Sequence, residues 1–219
     1  MSPARKIPPL PLTKPGYPFH RRKRTLDLIL TLLTLPLWLP LLGLAALSVW
    51  LCLGRPILFR QQRPGLYGRP FVLVKLRTMT DNHDAEGRLL PDAERLPLIG
   101  RLLRHSSLDE LPELFHVLAG TMSLVGPRPL LMSYLDYYTP EHHRRHGMPP
   151  GITGLAQIYG RNLLAWEERF ALDIWYVNHW SLSLDLAILA KTLCQTITGH
   201  GVTTVVGTTS EKFHPADRR

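Results

Sequence analysis

The sequence predicts an α+β protein, mainly helical, in which a small globular domain with a β-hairpin is anchored by an N-terminal membrane segment. Three observations carry this prediction: an apolar run over 26–53, two short strand-like runs after it, and apolar residues at helical spacing through much of the remainder. The chain of 219 residues is long enough for one domain with its own core. We expect a flexible Pro-rich tail at 1–20, a membrane segment at 21–54, the globular domain at 55–198 and a C-terminal tail at 199–219.

The apolar run is predicted to enter the membrane without crossing it. Asp27 is its only charged residue, and the run is longer than the 18 or so residues that mark a membrane helix. Pro36 and Pro40 lie inside it, and each removes a helix hydrogen bond. Basic residues flank the run on both sides, so the positive-inside rule places both ends, and the globular domain, in the cytoplasm. A re-entrant helix–break–helix satisfies both observations; an ordinary kinked spanning helix is the alternative.

The runs Ile57–Gln62 and Phe71–Arg77 are joined by residues rich in Gly and Pro, which predicts the β-hairpin. Alternation along the second run places Lys75 and Arg77 on the same face of the strand. Two cations at a strand end are able to contact a phosphate group. The alternative is a solvated strand end, which this pattern taken alone favours.

Apolar side chains at helical spacing predict a helix over Ser107–Leu118. Ser107, with Glu110 three positions later, matches a capping box. Asp109 and Glu110 would then lie in the first helical turn, where unpaired N–H groups and the helix dipole favour negative charge. Capping alone would account for both acids, and this is the alternative to a functional site.

Two further helices are expected nearer the C-terminus. Trp166–Trp180 carries an apolar, aromatic stripe, which is as typical of a helix at a membrane interface as of a core helix. Asp185–Ile197 is mainly apolar and predicts another helix. In the run His142–His146, adjacent histidines would point in different directions on a helix, so we expect a solvated basic face there instead of a metal site.

Basic residues outnumber acidic ones, with 26 Lys and Arg against 17 Asp and Glu and a formal net charge of +9. This charge favours an anionic partner, which includes nucleic acid, an anionic membrane surface and a phosphorylated substrate. We expect no nucleic acid, because no basic–aromatic repeat resembles a nucleic-acid module. The pair Asp109–Glu110 has arginines before and after it in the sequence (Arg101, Arg104, Arg128 and Arg161). This combination indicates phosphate chemistry, in which a carboxylate acts as nucleophile or holds a metal ion.

Seven motifs follow one another along the chain between Lys23 and about Leu193: residues 23–27 (KRTLD), 59–65 (FRQQRPG), 75–79 (KLRTM), 103–112 (LRHSSLDELP), 123–129 (SLVGPRP), 150–154 (PGITG) and 160–162 (GRN). Together they resemble the bacterial sugar transferase family, the monotopic polyprenyl-phosphate phosphoglycosyl transferases. The chain is most similar to the minimal single-module type, which includes undecaprenyl-phosphate diacetylbacillosamine-phosphate transferases. One departure is Leu39, which stands where the family commonly has a serine before the helix-breaking proline, here Pro40.

The resemblance implies that residues 55–198 form a catalytic domain that transfers a sugar-1-phosphate from a UDP-sugar to a polyprenyl phosphate such as undecaprenyl phosphate, releasing UMP. It implies that Asp109 is the nucleophile that forms a covalent phosphosugar intermediate, and that Glu110, with Asp109, holds Mg²⁺. Arg104 is the first candidate for binding the substrate phosphates. Lys75, Arg128 and Arg161 are further candidates.

The implied partners are a UDP-sugar, a polyprenyl phosphate and membrane lipid, and a homodimer is one possibility. The implied location is the cytoplasmic face of the bacterial inner membrane, in the first membrane step of a glycoconjugate or polysaccharide pathway. The alternative function is a non-enzymatic, membrane-anchored module that binds anionic lipid or nucleic acid. In that case a change of Asp109 would leave function intact.

Overall fold

The computed structural model describes residues 21–160, 164–198 and 213, and it confirms a mixed, mostly helical architecture. Its α-helices are α1 (Arg21–Leu33), α2 (Leu35–Leu53), α3 (Asp92–Arg95), α4 (Leu98–His105), α5 (Glu113–Ala119), α6 (Pro140–His143), α7 (Leu155–Tyr159), α8 (Trp166–His179) and α9 (Leu182–Thr198). Its strands are β1 (Leu58–Pro64), β2 (Pro70–Leu76), β3 (Ser123–Val125) and β4 (Gly151–Thr153). Short 3-10 turns lie at Leu66–Gly68, Leu108–Glu110, Met132–Tyr137 and Arg144–Gly147. The expected tails, 1–20 and nearly all of 199–219, lie outside the described residues.

The apolar run forms two helices that are separated at Thr34. Pro36 lies in the first turn of α2, where its missing N–H is tolerated, and Pro40 lies inside that helix. The break therefore falls just before the first proline. Within the described part of the chain, α2 is the one helix that is long and apolar enough to cross a membrane, judged by length and composition.

The beginning of α1 is bound to the globular domain. Lys23 Nζ lies 2.7 Å from Asp185 Oδ2 of α9, and both side chains are 1% exposed. Arg24 donates hydrogen bonds to the carbonyls of Val117 and Leu118 at the end of α5. One turn further on, Asp27 accepts hydrogen bonds from Ser123 and from the Leu124 N–H. The one charge inside the apolar run is thus buried against β3.

The end of α2 is bound to the same domain. Arg77 donates hydrogen bonds to the carbonyls of Leu53 and Gly54, which would otherwise lack partners at the helix terminus. Ala45 and Val49 pack against Leu76 and Leu103. The expectation that Arg77 contacts a phosphate is not supported, because its guanidinium caps a helix instead.

The opposite face of α1 and α2 is apolar and uncovered. Many large apolar side chains of these two helices are exposed: Ile29, Leu32, Leu33, Leu37, Leu39, Leu41, Leu44, Leu47, Trp50 and Leu51. A continuous patch of this kind marks a contact with lipid or with another protein.

Two small sheets position the loops of the domain. β1 and β2 pair antiparallel from Leu58↔Leu76 to Pro64↔Pro70, which confirms the predicted hairpin. β3 and β4 pair parallel, with Ser123 opposite Gly151 and Val125 opposite Thr153. A Cβ on Gly151 would lie 2.0 Å from the Gly126 nitrogen, so glycine is required at the first residue of β4, where it packs against the residue that follows β3.

The aromatic stripe of α8 belongs to the core. Trp166, Phe170, Ile174 and Val177 are all buried, the first three with Tyr134, Tyr138 and Phe213. This decides between the two interpretations of the stripe: it is covered by protein and cannot contact lipid.

The run His142–His146 was predicted to be a solvated basic face, and this prediction is wrong. The side chains of His142, Arg145 and His146 are buried. The physical reason is a buried partner, since Arg145 pairs with Asp173 of α8 at 2.5 Å. Burial lowers the pKa of His146 well below its usual value, so the imidazole is neutral inside the protein.

We predict that Lys23→Met destabilises the folded protein strongly. The change leaves Asp185 buried with hydrogen bonds from Tyr176 and Trp180 but without its cation, and breaking a buried pair in this way costs about 3–5 kcal/mol. The apparent melting temperature of the detergent-solubilised protein measures the effect. Arg22→Met, at an exposed neighbouring position, is the control. An equal loss in both variants would contradict the importance of the pair.

Candidate active site

The acidic pair lies in a tight turn and not in the first turn of a long helix. Leu108–Glu110 form a 3-10 turn, and α5 begins only at Glu113. Ser107 has φ 57° and its side chain makes no capping hydrogen bond, so the predicted capping box is absent. Pro112, which has no N–H to continue a helical ladder, explains the interruption. Helix capping therefore does not account for the two acids.

Glu110 is bound by two cations that come from different elements. Its Oε1 accepts hydrogen bonds from Lys75 Nζ of β2 at 2.6 Å and from Arg128 Nη2 at 2.7 Å. Burial opposes ionisation of Glu110, but the charges of Arg128 and Lys75 hold its pKa well below the usual range. Glu110 is thus a carboxylate at neutral pH.

Asp109 has a different environment from its neighbour. Its side chain is buried, and it forms no ion pair with any of the described residues. Burial and the negative charge of Glu110 raise its pKa to about 6, although Lys75, Arg104 and Arg128 act in the opposite direction. Adjacent carboxylates whose pKa values are pushed apart are typical of catalytic sites. Asp109 is therefore the more basic carboxylate of the pair.

A third carboxylate, Glu113, lies in the site and was not predicted from the sequence. Its side chain is 3% exposed, and its Oε1 lies 3.0 Å from Lys75 Nζ. Burial and the charge of Glu110 raise its pKa to about 7. The signal that could have revealed it is the spacing of Glu110 and Glu113, since residues three apart lie on one side of a helical turn.

The structure brings together most of the predicted phosphate-binding residues. Lys75 and Arg128 contact Glu110 directly. Arg104 of α4 donates its Nε to Thr78 Oγ1 at 2.8 Å, and its charge acts on Asp109. Arg161 lies outside the described residues.

The oxygen donors fit a metal ion that binds mainly through its substrate. Among residues 21–160, 164–198 and 213, no group of three or more His, Cys, Asp or Glu is placed to hold a metal. Asp109 and Glu110 offer carboxylate oxygens next to each other in sequence. Mg²⁺ is usually held by one or two carboxylates, with water and substrate phosphates completing the shell. The pair therefore fits Mg²⁺ and not a metal that requires a full protein cage.

We predict that Glu113→Gln stabilises the protein increasingly as the pH rises from 5 to 7. The folded state binds a proton at Glu113 up to pH about 7, whereas an ordinary glutamate loses it near 4.5. Between these values the folded state binds more protons, so the wild type loses stability as the pH rises. The variant has no such proton, so the difference between its melting temperature and that of the wild type, both measured with EDTA, increases with pH. Glu141→Gln, at an exposed position, is the control. A constant difference between pH 5 and 7 would contradict the assignment.

Comparisons with known proteins identify the family of the chain. Residues 19–199 match the family model for the bacterial sugar transferase. The chain is 54% identical over 165 residues to the uncharacterized sugar transferase EpsL of Bacillus subtilis, which covers 75% of this chain and 82% of the relative. It is 42% identical over 205 residues to the UDP-glucose:undecaprenyl-phosphate glucose-1-phosphate transferase of Caulobacter vibrioides, which covers 84% of this chain and 75% of the relative.

A third relative is the exopolysaccharide production protein ExoY of Sinorhizobium fredii, which is 36% identical over 192 residues, with 78% of this chain and 83% of the relative covered. The family model spans most of the chain, including the Asp109–Glu110 turn, β2 and the segment that carries Arg128. The chain therefore belongs to the bacterial sugar transferase family, and it is a transferase.

Proposed function

We propose that the protein transfers a sugar-1-phosphate from a UDP-sugar to undecaprenyl phosphate or a similar polyprenyl phosphate, releasing UMP. The observation that carries this proposal is the buried Asp109, whose pKa is raised to about 6 beside cations able to bind a diphosphate. The Caulobacter relative, whose name gives this reaction with UDP-glucose, supports the choice of substrates. The product would be the first lipid-linked intermediate of a glycoconjugate or polysaccharide.

In the first half-reaction, a carboxylate oxygen of Asp109 forms a bond to the β-phosphorus of the UDP-sugar. The bond from that phosphorus to the oxygen bridging the two phosphates breaks, and the bridging oxygen leaves with the electron pair as part of UMP. In the second half-reaction, a phosphate oxygen of the polyprenyl phosphate attacks the same phosphorus, and the Asp109 carboxylate leaves. The basicity that burial gives Asp109 favours its attack.

Cations in the site make this approach of like charges feasible. Lys75 and Arg128 pair with Glu110, and the charge of Arg104 acts on Asp109, which supports the proposal that all three bind the diphosphate as well. Arg161 remains a proposed contact on the basis of its motif. Asp109 and Glu110 would hold Mg²⁺, which, when bound, offsets the negative charge of the diphosphate and of the departing UMP.

We further propose that α1 and α2 form a re-entrant anchor and that the domain lies on the cytoplasmic face of the inner membrane. The break at Thr34 supports this, as do the contacts of both ends with one domain, through Lys23 at one end and Arg77 at the other. The exposed apolar face of both helices would then contact lipid. This arrangement brings a water-soluble donor and a membrane-bound acceptor to the same site.

We predict that Asp109→Asn abolishes UMP release and the covalent intermediate. Purified protein is incubated with Mg²⁺, undecaprenyl phosphate and a panel of UDP-sugars that includes UDP-glucose. We expect at least about a 10³-fold loss of turnover, the scale on which loss of a nucleophile acts. With sugar-labelled donor and no acceptor, the wild type should retain label that hydroxylamine removes, as an acyl phosphate requires.

Asp136→Asn, at an exposed position, is the matched control and should keep full activity. Label retained by Asp109→Asn would assign the nucleophile elsewhere. Activity of the wild type without retained label would favour direct transfer, with the pair as general base. If the wild type released no UMP from any donor, the non-enzymatic binding module would become the better interpretation.

For the anchor, we predict that both ends are labelled from the cytoplasmic side only. Cys52 and Cys194 are exposed, so both are first replaced by serine. Single cysteines at Arg22 and Arg60, which are exposed on either side of the apolar run, are then treated with a membrane-impermeant maleimide. Labelling in inverted vesicles and not in spheroplasts is expected at both positions. Labelling of position 22 in spheroplasts would show a spanning helix.

A further inference from the structure

The segment that carries Arg128 has an unusual demand for hydrogen-bond donors. Its sequence is Gly126-Pro127-Arg128-Pro129, and the two prolines have no N–H. Proline also disfavours the helical conformation of the residue before it, and residues 126–130 lie in no helix or strand, so their carbonyls have no partners from regular secondary structure. Because buried carbonyls require partners, the donors for this segment must come from elsewhere in the molecule.

The structure supplies these donors for three consecutive carbonyls. The Pro127 carbonyl accepts from the Gly151 N–H at 3.1 Å. The Arg128 carbonyl accepts from Arg145 Nη2 at 2.7 Å, and the Pro129 carbonyl accepts from Arg63 Nη1 at 3.2 Å. Three separate parts of the chain thus fix three successive peptide units.

Arg145 is itself held rigidly. Its Nε and Nη2 donate to Asp173 Oδ2 at 3.0 and 2.5 Å, and the side chains of this pair are 2% and 5% exposed. Removing two charges from water is unfavourable unless further hydrogen bonds are made, and the bond to the Arg128 carbonyl is one of them. Arg63 is likewise braced, since its Nη2 donates to Gln61 Oε1 at 2.5 Å.

We infer that Arg145, anchored by Asp173, and Arg63 are positioning residues that hold the 126–130 segment in the one conformation from which Arg128 reaches Glu110. None of the three carries out chemistry in this scheme: Arg145, held by Asp173, acts through the Arg128 carbonyl, and Arg63 acts through the Pro129 carbonyl. The inference rests on the proposed function, because it assigns Arg128 a role in the transfer.

The test is a double-mutant cycle of Arg145→Lys and Arg128→Ala. Lysine keeps a positive charge opposite Asp173, but its single nitrogen lacks the fork that binds Asp173 and a carbonyl together. We expect Arg145→Lys to lower kcat/KM for the UDP-sugar about 10-fold to 100-fold, the effect of a displaced binding group. In the Arg128→Ala background it should change kcat/KM less than about twofold, since the group it positions is already absent.

Arg144→Lys is the matched control, because this neighbour pairs with Glu141 and Asn178 and does not contact the segment. It should leave kcat/KM unchanged. Equal losses for Arg145→Lys in both backgrounds would indicate a general structural role and overturn the inference. Unchanged activity of Arg145→Lys would overturn it as well. Where Arg145→Lys fails to fold, Arg63→Lys takes its place in the cycle, with the same expected outcomes.

A readout that does not need activity separates this inference from the proposed function. Hydrogen–deuterium exchange is followed in a peptide that covers 148–155, in which the Gly151 N–H donates to the Pro127 carbonyl of the segment. Arg145→Lys should speed exchange at the Gly151 N–H, and Arg144→Lys should not. Unchanged exchange would overturn the inference even if the wild type releases UMP, whereas an absence of UMP release together with faster exchange would overturn only the proposed function.

Discussion

The concentration of negative charge at Asp109 and Glu110 is the constraint on which the rest of the site depends. Two neighbouring carboxylates in a largely buried turn repel each other, and a diphosphate would add to that repulsion. Lys75 and Arg128 pair with Glu110 and offset its negative charge, whereas the pKa of Asp109 stays raised. The hairpin is needed to deliver Lys75, and the β3–β4 pair is needed to deliver Arg128. Each of the two small sheets thus places a cation beside Glu110.

Several of the basic residues make ion pairs or hydrogen bonds inside the protein and do not face an external partner. Lys23 and Arg145 are almost fully buried, each opposite an aspartate, and Arg77 binds helix carbonyls. A net charge alone does not distinguish such internal cations from those that face a ligand. The contacts of each cation distinguish the two groups, because Lys75 and Arg128 contact carboxylates inside the site.

The sequence predicted elements whose signal is local. The hairpin followed from Gly and Pro between two strand-like runs, and the position of the acidic pair followed from its motif. What it missed depended on distant partners. The burial of Arg145 requires Asp173, which is 28 residues away, and the helical cap made by Arg77 requires the end of α2. The capping box failed for a local reason, since Pro112 interrupts the helix and Ser107 adopts a left-handed conformation. Glu113 was missed because the sequence does not show which acidic residues of a helix become buried when the chain folds.

Lys75, which binds Glu110, lies near the end of β2, and Arg77, which binds the last carbonyls of α2, directly follows that strand. The apolar helix α2 and the acidic pair are therefore bound by two residues that lie only two positions apart in the chain. With α2 in a bilayer, the depth at which this helix lies would set the height of Asp109 relative to the lipid phosphates. A membrane in which α2 lies deeper or shallower would move Asp109 by the same distance.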